Sequence, residues 1–267
     1  MTETIHPETS THGLCRPKTG RYHALLCFCV LIFGAALLFR LVKLVLDPGL
    51  MRDSTLYLQW AENWYETGDH VFMRLGVPIK TASLPVWLIK TLMLSGFGSE
   101  IAGRSLSLFL GSLIPVIGFI AALRACGRIR IALLSAFLLV FHPDLVTYSI
   151  QPLRDNYYVF FEAFLLLMTV EAYRNDTLFN WGVCGVFVAL QSFCRYEGLE
   201  FLLIVPFIAF VLSVFEKERR KRVFPNIAAF FCMFGIASLF LLSLTDFDSG
   251  IVRKITDLLK VSYRYNQ

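Results

Sequence analysis

Four small clusters of ionisable residues stand just outside long apolar stretches: Arg52 with Asp53, Lys80, Arg154 with Asp155 in SIQPLRDN, and Arg195 with Glu197 in the turn CRYEG. Charged groups are costly in or beside hydrocarbon, so acids and bases retained there call for a reason. Several cations with two or three carboxylates suit a phosphate-linked substrate. The cations hold the anionic group, and a carboxylate deprotonates an acceptor or holds a metal. Each residue also has a plainer role open to it. Asp53 and Asp155 can cap the helices they begin, where an acid favours the positive end of the helix dipole. Arg154 and Arg195 can snorkel to lipid headgroups. The chemical role gains weight if the four clusters share one face, which depends on the elements that carry them.

Hydrophobic residues make up 56% of the 267 and charged residues 17%, where a soluble domain carries about 25% charged residues. Apolar runs of about 16 to 24 residues recur along the chain, most of them long enough to cross about 30 Å of hydrocarbon as a helix. The fold class expected is all-α, a polytopic membrane protein. The net charge of +5 is spread over loops rather than gathered on a soluble face, so a nucleic-acid partner is excluded. Of the seven cysteines, Cys27, Cys29, Cys126, Cys184, Cys194 and Cys232 lie inside or at the ends of apolar runs, without metal or redox spacing. They read as small buried side chains.

Residues 1–20 read as a polar tail expected on the cytoplasmic side, and a retained first helix is expected in place of a cleavable signal peptide. A first span over 23–46 is stopped by Asp47, Pro48 and Gly49. Six more spans are expected at about 101–123, 131–150, 157–173, 178–193, 199–215 and 224–244. Between the first two lies a long outer loop, 47–100. It opens with 51–70, an amphipathic helix that spaces Leu56, Trp60, Asn63 and Trp64 along one side. A turn-prone segment with Gly68, Gly76 and Pro78 follows, then a second surface helix at 84–98 with Lys90 inside it. The membrane module thus runs over 21–244, and a tail, 245–267, mixes Asp246 and Asp248 with an amphipathic stretch at 251–263. No internal repeat is visible.

One set of short loops holds Arg124, Arg128, Arg130, Arg174 and the run Lys217, Arg219, Arg220, Lys221 and Arg222. By the positive-inside rule that set is cytoplasmic. The helix at 51–70, the Arg154 loop, the Arg195 turn and the C-terminal tail then share the opposite face. Trp60, Trp64, Trp87, Tyr157 and Tyr158 fit an interfacial aromatic belt, a sugar or polyprenyl site being the alternative. His142 before Pro143 reads as a packed polar edge.

These features in this order resemble the GT-C superfamily of polyprenyl-phosphate-sugar-dependent glycosyltransferases. They are an amphipathic helix with an early acid after the first span, a Lys-to-Pro segment, Arg-Asp at the start of the fourth span, and Arg-Tyr-Glu-Gly between the fifth and sixth. The resemblance covers about residues 21–244 and is nearest to the bacterial branch holding lipid A aminoarabinose transferases, protein O-mannosyltransferases and lipopolysaccharide-core galacturonosyltransferases. It implies transfer of a sugar from a polyprenyl-phosphate donor to a glycan, lipid or protein acceptor hydroxyl, inverting at the anomeric carbon, at the non-cytoplasmic face of a bacterial inner membrane. Asp53 matches the first acid of the family's Asp-Glu pair, the general base on the acceptor, and position 54 is Ser in place of the second acid. Asp155 resembles the second acid of the site. Lys80 and Arg195 resemble the cations beside the donor phosphate, with Glu197 in the same turn and Arg154 assisting. A divalent metal is left open, with Asp53 and Asp155 as candidate ligands. Two other classes stay open: a non-catalytic or truncated subunit, because family enzymes usually continue for several more spans, and a transporter or flippase of an anionic lipid. The second would favour acids deep in the spans, where Glu162 and Glu171 are the few present.

Overall fold

The first apolar run holds no proline, and it forms one unbroken helix, α1 (Thr19–Leu46), until the Asp47-Pro48-Gly49 break. The computed structural model describes residues 19–69, 72–74, 77–79 and 83–245. Lys80, residues 1–18 of the expected polar tail 1–20, and the C-terminal segment with Asp246, Asp248 and 251–263 lie outside the described residues, while Thr19 and Gly20 already belong to α1.

The next helix, α2 (Arg52–Thr67), ends at Gly68, whose φ of 73° is open to glycine at little cost and lets its N–H donate to the Trp64 carbonyl. The turn-prone segment that follows contains a short antiparallel pair, β1 (Phe72–Arg74) with β2 (Val77–Ile79), in the register Phe72↔Ile79, Met73↔Pro78 and Arg74↔Val77. All other described elements are helical. In chain order they are α3 (Leu84–Met93), α4 (Ser99–Cys126), α5 (Ile129–Phe141), α6 (Pro143–Ser149), α7 (Arg154–Asn175) and α8 (Leu178–Cys194). A 3₁₀ turn (Tyr196–Glu200), α9 (Phe201–Phe215), α10 (Lys217–Arg220) and α11 (Val223–Thr245) complete them.

All seven expected apolar segments are helical, but they are not equally able to span. Among the described residues four helices are long and apolar enough to cross a membrane, His23–Leu46, Ser99–Cys126, Tyr196–Phe215 and Val223–Leu244. A bent pair makes a fifth. The fifth expected span, α8, has 17 residues. The fourth, α7, carries Glu162 and Glu171 within its apolar run. The third expected span is that bent pair, α5 and α6, set at 58° to each other. Pro143 has no N–H to give and disfavours the helical conformation at His142, which is extended at φ −62° and ψ 119°. The exposed His142 ring accepts from the Leu145 N–H at 3.5 Å, so this residue is a helix cap and not a packed edge.

The central core lies where α4, α7, α8 and α11 meet, around Ile114, Ile117, Tyr157, Phe160, Ala189 and Leu241. Helices α8 and α11 approach at Gly185, where a Cβ would stand 2.2 Å from the Phe230 carbonyl oxygen and 3.0 Å from the Phe234 nitrogen. Backbone cannot step aside as a side-chain tip can. Gly185→Val is therefore expected to force the two helices apart and destabilise the chain by about 1–3 kcal/mol. Thermal unfolding in detergent checks this, with Gly235→Ala, which meets nothing within 4 Å and adds helix propensity, not lowering the midpoint.

The two sets of loops gather at opposite ends of the helices. At one end Arg174 donates to the Arg124 carbonyl, Arg124 pairs with Glu171 at 3.1 Å, and Asn226 donates to the Asp176 carboxylate at 2.8 Å. At the other end α2 and α3 lie over the start of α4, closing a small core of Trp60, Ala61, Trp64, Val86, Ile89 and Ala102. Its helix α2 buries Ser54, Leu58, Trp60, Ala61 and Trp64, leaving Leu56 and Asn63 half-buried. The aromatic-belt expectation thus fails for Trp60, Trp64 and the fully enclosed Tyr157, which are core residues. Lys90 keeps its charge inside α3 by laying its ammonium 4.4 Å from the centre of the Trp64 ring.

Candidate active site

Asp155 is the second residue of α7, but the capping residue is Leu153 and no side chain caps this terminus. The Asp155 carboxylate instead receives the Arg195 guanidinium, from across the helix layer. The other edge of the same guanidinium forks onto Glu197, with Nη2 2.8 Å from Oε1 and Nε 3.3 Å from Oε2. Only arginine offers a rigid planar set of donors that can serve two carboxylates at once. Hydrogen bonding to Glu197, opposed by partial burial and helped by the charge of Asp155, holds Arg195 above its ordinary pKa. Its guanidinium also lies 5.9 Å from the centre of the Tyr158 ring. These three side chains are each about a third exposed, at 29–30%, so a ligand can reach them.

The motif glycine explains how the turn presents them. A Cβ on Gly198 would lie 2.7 Å from the Ser192 nitrogen and 2.8 Å from the Gln191 carbonyl carbon. With hydrogen there instead, the 3₁₀ turn folds back onto the end of α8 and aims Arg195 and Glu197 toward the start of α7. That start is fixed in turn by Asn156, buried and donating to the Ser107 carbonyl at 2.8 Å.

Asp53 sits in the first turn of α2 without capping it, since Met51 is the capping residue and makes no side-chain cap bond. Its side chain is exposed. Ser54, next to it, is fully buried and donates to Gln151 Oε1 at 3.0 Å. A carboxylate at position 54 would be buried facing another oxygen, a costly arrangement without a cation, which accounts for serine at this position. Helix α2 also leans on α4 beside the turn that precedes α7. A Cβ on Gly103 would meet Leu58 at 2.7 Å and Pro152 at 2.9 Å.

Half-buried Tyr57, one helical turn after Asp53, marks where the two sides converge. Burial pushes its phenol above the ordinary value, Arg154 pulls it down, Asp53 and Asp155 push it up, and Arg195 pulls it down. Asp155, Arg195 and Glu197 are therefore in direct contact, Asp53 and Arg154 act on the same phenol, and Lys80 lies outside the described residues. Tyr57, Gln151 and Arg104 escape a reading of the sequence. Arg104 pairs with Glu100 at 2.8 Å and braces the segment between α1 and α2 by donating to the Pro48 carbonyl at 2.6 Å. The available signal for Tyr57 was its i, i+4 spacing from Asp53, and for Gln151 its place inside SIQPLRDN.

The donor set does not fit a divalent cation. Asp155 is engaged by Arg195, and among the described residues no three His, Cys, Asp or Glu side chains gather.

Helices of membrane-spanning length, with acids and bases presented in solvent reach at one end, define a polytopic membrane protein with a charged site at the end of its bundle. Residues 80–242 match the model of a family described as dolichyl-phosphate-mannose-protein mannosyltransferase. The match covers more than half of the chain, which belongs to that family and so to the membrane glycosyltransferases that use a lipid-linked sugar. It takes in Arg154, Asp155, Arg195 and Glu197 and begins beyond Asp53. Neither a curated protein nor a solved structure matches the chain.

Proposed function

We propose that the chain transfers a sugar from a polyprenyl phosphate to an acceptor hydroxyl, at the membrane face that carries α2, the start of α7 and the Arg195 turn. The observation that carries this is the Arg195 guanidinium held between Asp155 and Glu197 beside the helix bearing Asp53. The acceptor oxygen attacks the anomeric carbon, the bond from that carbon to the phosphate oxygen breaks, and configuration inverts. Negative charge grows on the departing phosphate as the sugar becomes oxocarbenium-like. Arg195 meets that charge, with Arg154 and Lys80 adding to the field. Asp53 takes the acceptor proton. Asp155 and Glu197 orient the guanidinium and give up part of their hold on it when phosphate arrives. The gathering of Arg124, Arg174 and Arg222 at the far end supports a non-cytoplasmic site under the positive-inside rule. We adopt a bacterial inner membrane as the setting, on the GT-C resemblance.

The test is a transfer assay with the purified full chain in proteoliposomes. Radiolabelled polyprenyl-phosphate mannose is the first donor, and an extract of envelope lipids and proteins supplies acceptors. Labelled product is expected. Donor binding without turnover would instead select a non-catalytic subunit, and movement of the donor across the bilayer a flippase.

A further inference from the structure

Two parts of the chain that are far apart in sequence meet at one buried amide. Gln151, 3% exposed, lies in the turn between α6 and α7. Its Oε1 accepts from the Met51 N–H at 3.1 Å and from the Ser54 hydroxyl at 3.0 Å, while its Nε2 donates to the Gly49 carbonyl at 2.7 Å. Met51 and Ser54 bracket Asp53. On the other side, the Gln151 carbonyl accepts from the Leu153 N–H at 2.7 Å, in the turn that delivers Arg154 and Asp155. The turn is itself anchored. Ser149, at the end of α6, accepts from Nε of the fully buried Arg40 in α1 at 3.0 Å, and Pro152 is pressed against Gly103.

We infer that Gln151 is a positioning residue: its side-chain amide sets where the Asp53 carboxylate stands relative to the Asp155–Arg195–Glu197 group, by tying the first turn of α2 to the turn that begins α7. This rests on the transferase reading above, and it adds a residue that touches neither donor nor acceptor. The amide is suited to the task because it both accepts and donates. One side of the tie needs an acceptor for Met51 and Ser54, the other a donor for Gly49, and among side chains of this length only glutamine or a protonated glutamic acid provides both. Losing it leaves the Met51 N–H, the Ser54 hydroxyl and the Gly49 carbonyl to find water or each other. The base then samples positions away from the acceptor. Displacement by about 1 Å costs about 10²-fold in rate.

The test compares wild type, Gln151→Leu and Gln151→Glu as full chains in proteoliposomes, by hydrogen exchange and by transfer from polyprenyl-phosphate mannose. Leucine keeps the size and makes none of the three bonds. Faster exchange over residues 49–55 is expected, with kcat down about 10²-fold and KM for the donor within about twofold of wild type. Burial raises a glutamic acid above its ordinary pKa of about 4.3, and the protonated form restores the amide's donor and acceptor pattern. Gln151→Glu should therefore regain much of its kcat as pH falls from about 7.5 to about 5.5, a recovery absent in Gln151→Leu. Gln151→Glu measured at both pH values carries the test by itself if the leucine variant does not fold. Unchanged exchange, unchanged kcat, a donor KM that rises as kcat falls, or a glutamate variant indifferent to pH would each overturn the inference. An inactive wild-type chain would count against the transferase reading, and the exchange comparison alone would then decide whether Gln151 makes the tie.

Discussion

Arg195→Ala is expected to lower transfer from a polyprenyl-phosphate sugar by about 10²- to 10³-fold, the usual loss when one preorganised group that meets developing charge is removed. The reason lies in how the guanidinium is held. It is fixed on one edge by Asp155 and on another by the Glu197 fork, so little reorganisation is needed when negative charge grows on the leaving phosphate. Removing it also leaves Asp155 and Glu197 without their shared cation, and two uncompensated carboxylates repel the donor phosphate. Both effects point the same way. Arg195→Lys should recover only part of the rate, because an ammonium is a point charge that cannot span two carboxylates and a phosphate in one plane. Steady-state kinetics on the three proteins check this. A lysine variant with full wild-type kcat and KM would show that charge alone suffices and that the fork has no catalytic meaning. Because these side chains are about a third exposed, detergent-extracted yield and helix content should stay near wild type, separating loss of chemistry from loss of fold.

Asp53→Ala is expected to cost about 10²- to 10⁴-fold, the range associated with a positioned general base. The side chain is exposed and forms no cap bond for α2, so its removal should leave membrane insertion intact and cost at most about 0.3–1 kcal/mol of stability through the helix dipole. Asp53→Asn should lose as much as Asp53→Ala, since the amide keeps the size and cannot take a proton. That equality is the useful measurement. If the carboxylate served only to favour the N-terminal end of the helix dipole, either substitution would cost stability of about 0.3–1 kcal/mol and leave kcat untouched. If Asp53→Asn retained wild-type turnover, the base would have to be sought elsewhere, with Tyr57 and its charged surroundings the next group to examine. The two losses differ in kind. Loss of Arg195 should weaken donor binding as well as turnover, whereas loss of Asp53 should act on turnover with the donor KM little changed.

What could be foreseen at this site followed residue type and local order. Asp53, Arg154, Asp155, Arg195 and Glu197 stand out because ionisable groups next to apolar runs are few and costly. Their partners do not stand out. Nothing in CRYEG says that Arg195 will reach Asp155 rather than a headgroup, because the two are separated by a full pair of antiparallel helices. The serine at position 54 looked like a missing acid in the sequence. It is a buried hydroxyl bonded to Gln151, on the side of α2 that packs inward. The tryptophans of α2 looked like membrane anchors, since burial against α3 leaves no mark on their spacing in the chain.

The sequence by itself determined the class of this protein: apolar runs too long and too uncharged for a soluble fold, helices bounded by Pro and Gly, and most basic residues of the short loops gathered in one set. These are local properties, set by hydrocarbon thickness, backbone hydrogen bonding and the cost of charge. It also marked the short list of acids and cations worth attention. Only the tertiary structure decided that the third span bends at Pro143 and that Arg195 serves both Asp155 and Glu197. It also decided that Gln151 joins the turn before α7 to the start of α2. Each of these depends on which helices are neighbours and how closely they approach. Close approach is governed by small residues such as Gly103, Gly185 and Gly198, where a missing Cβ admits another segment. A glycine shows in the sequence, but the segment it admits does not.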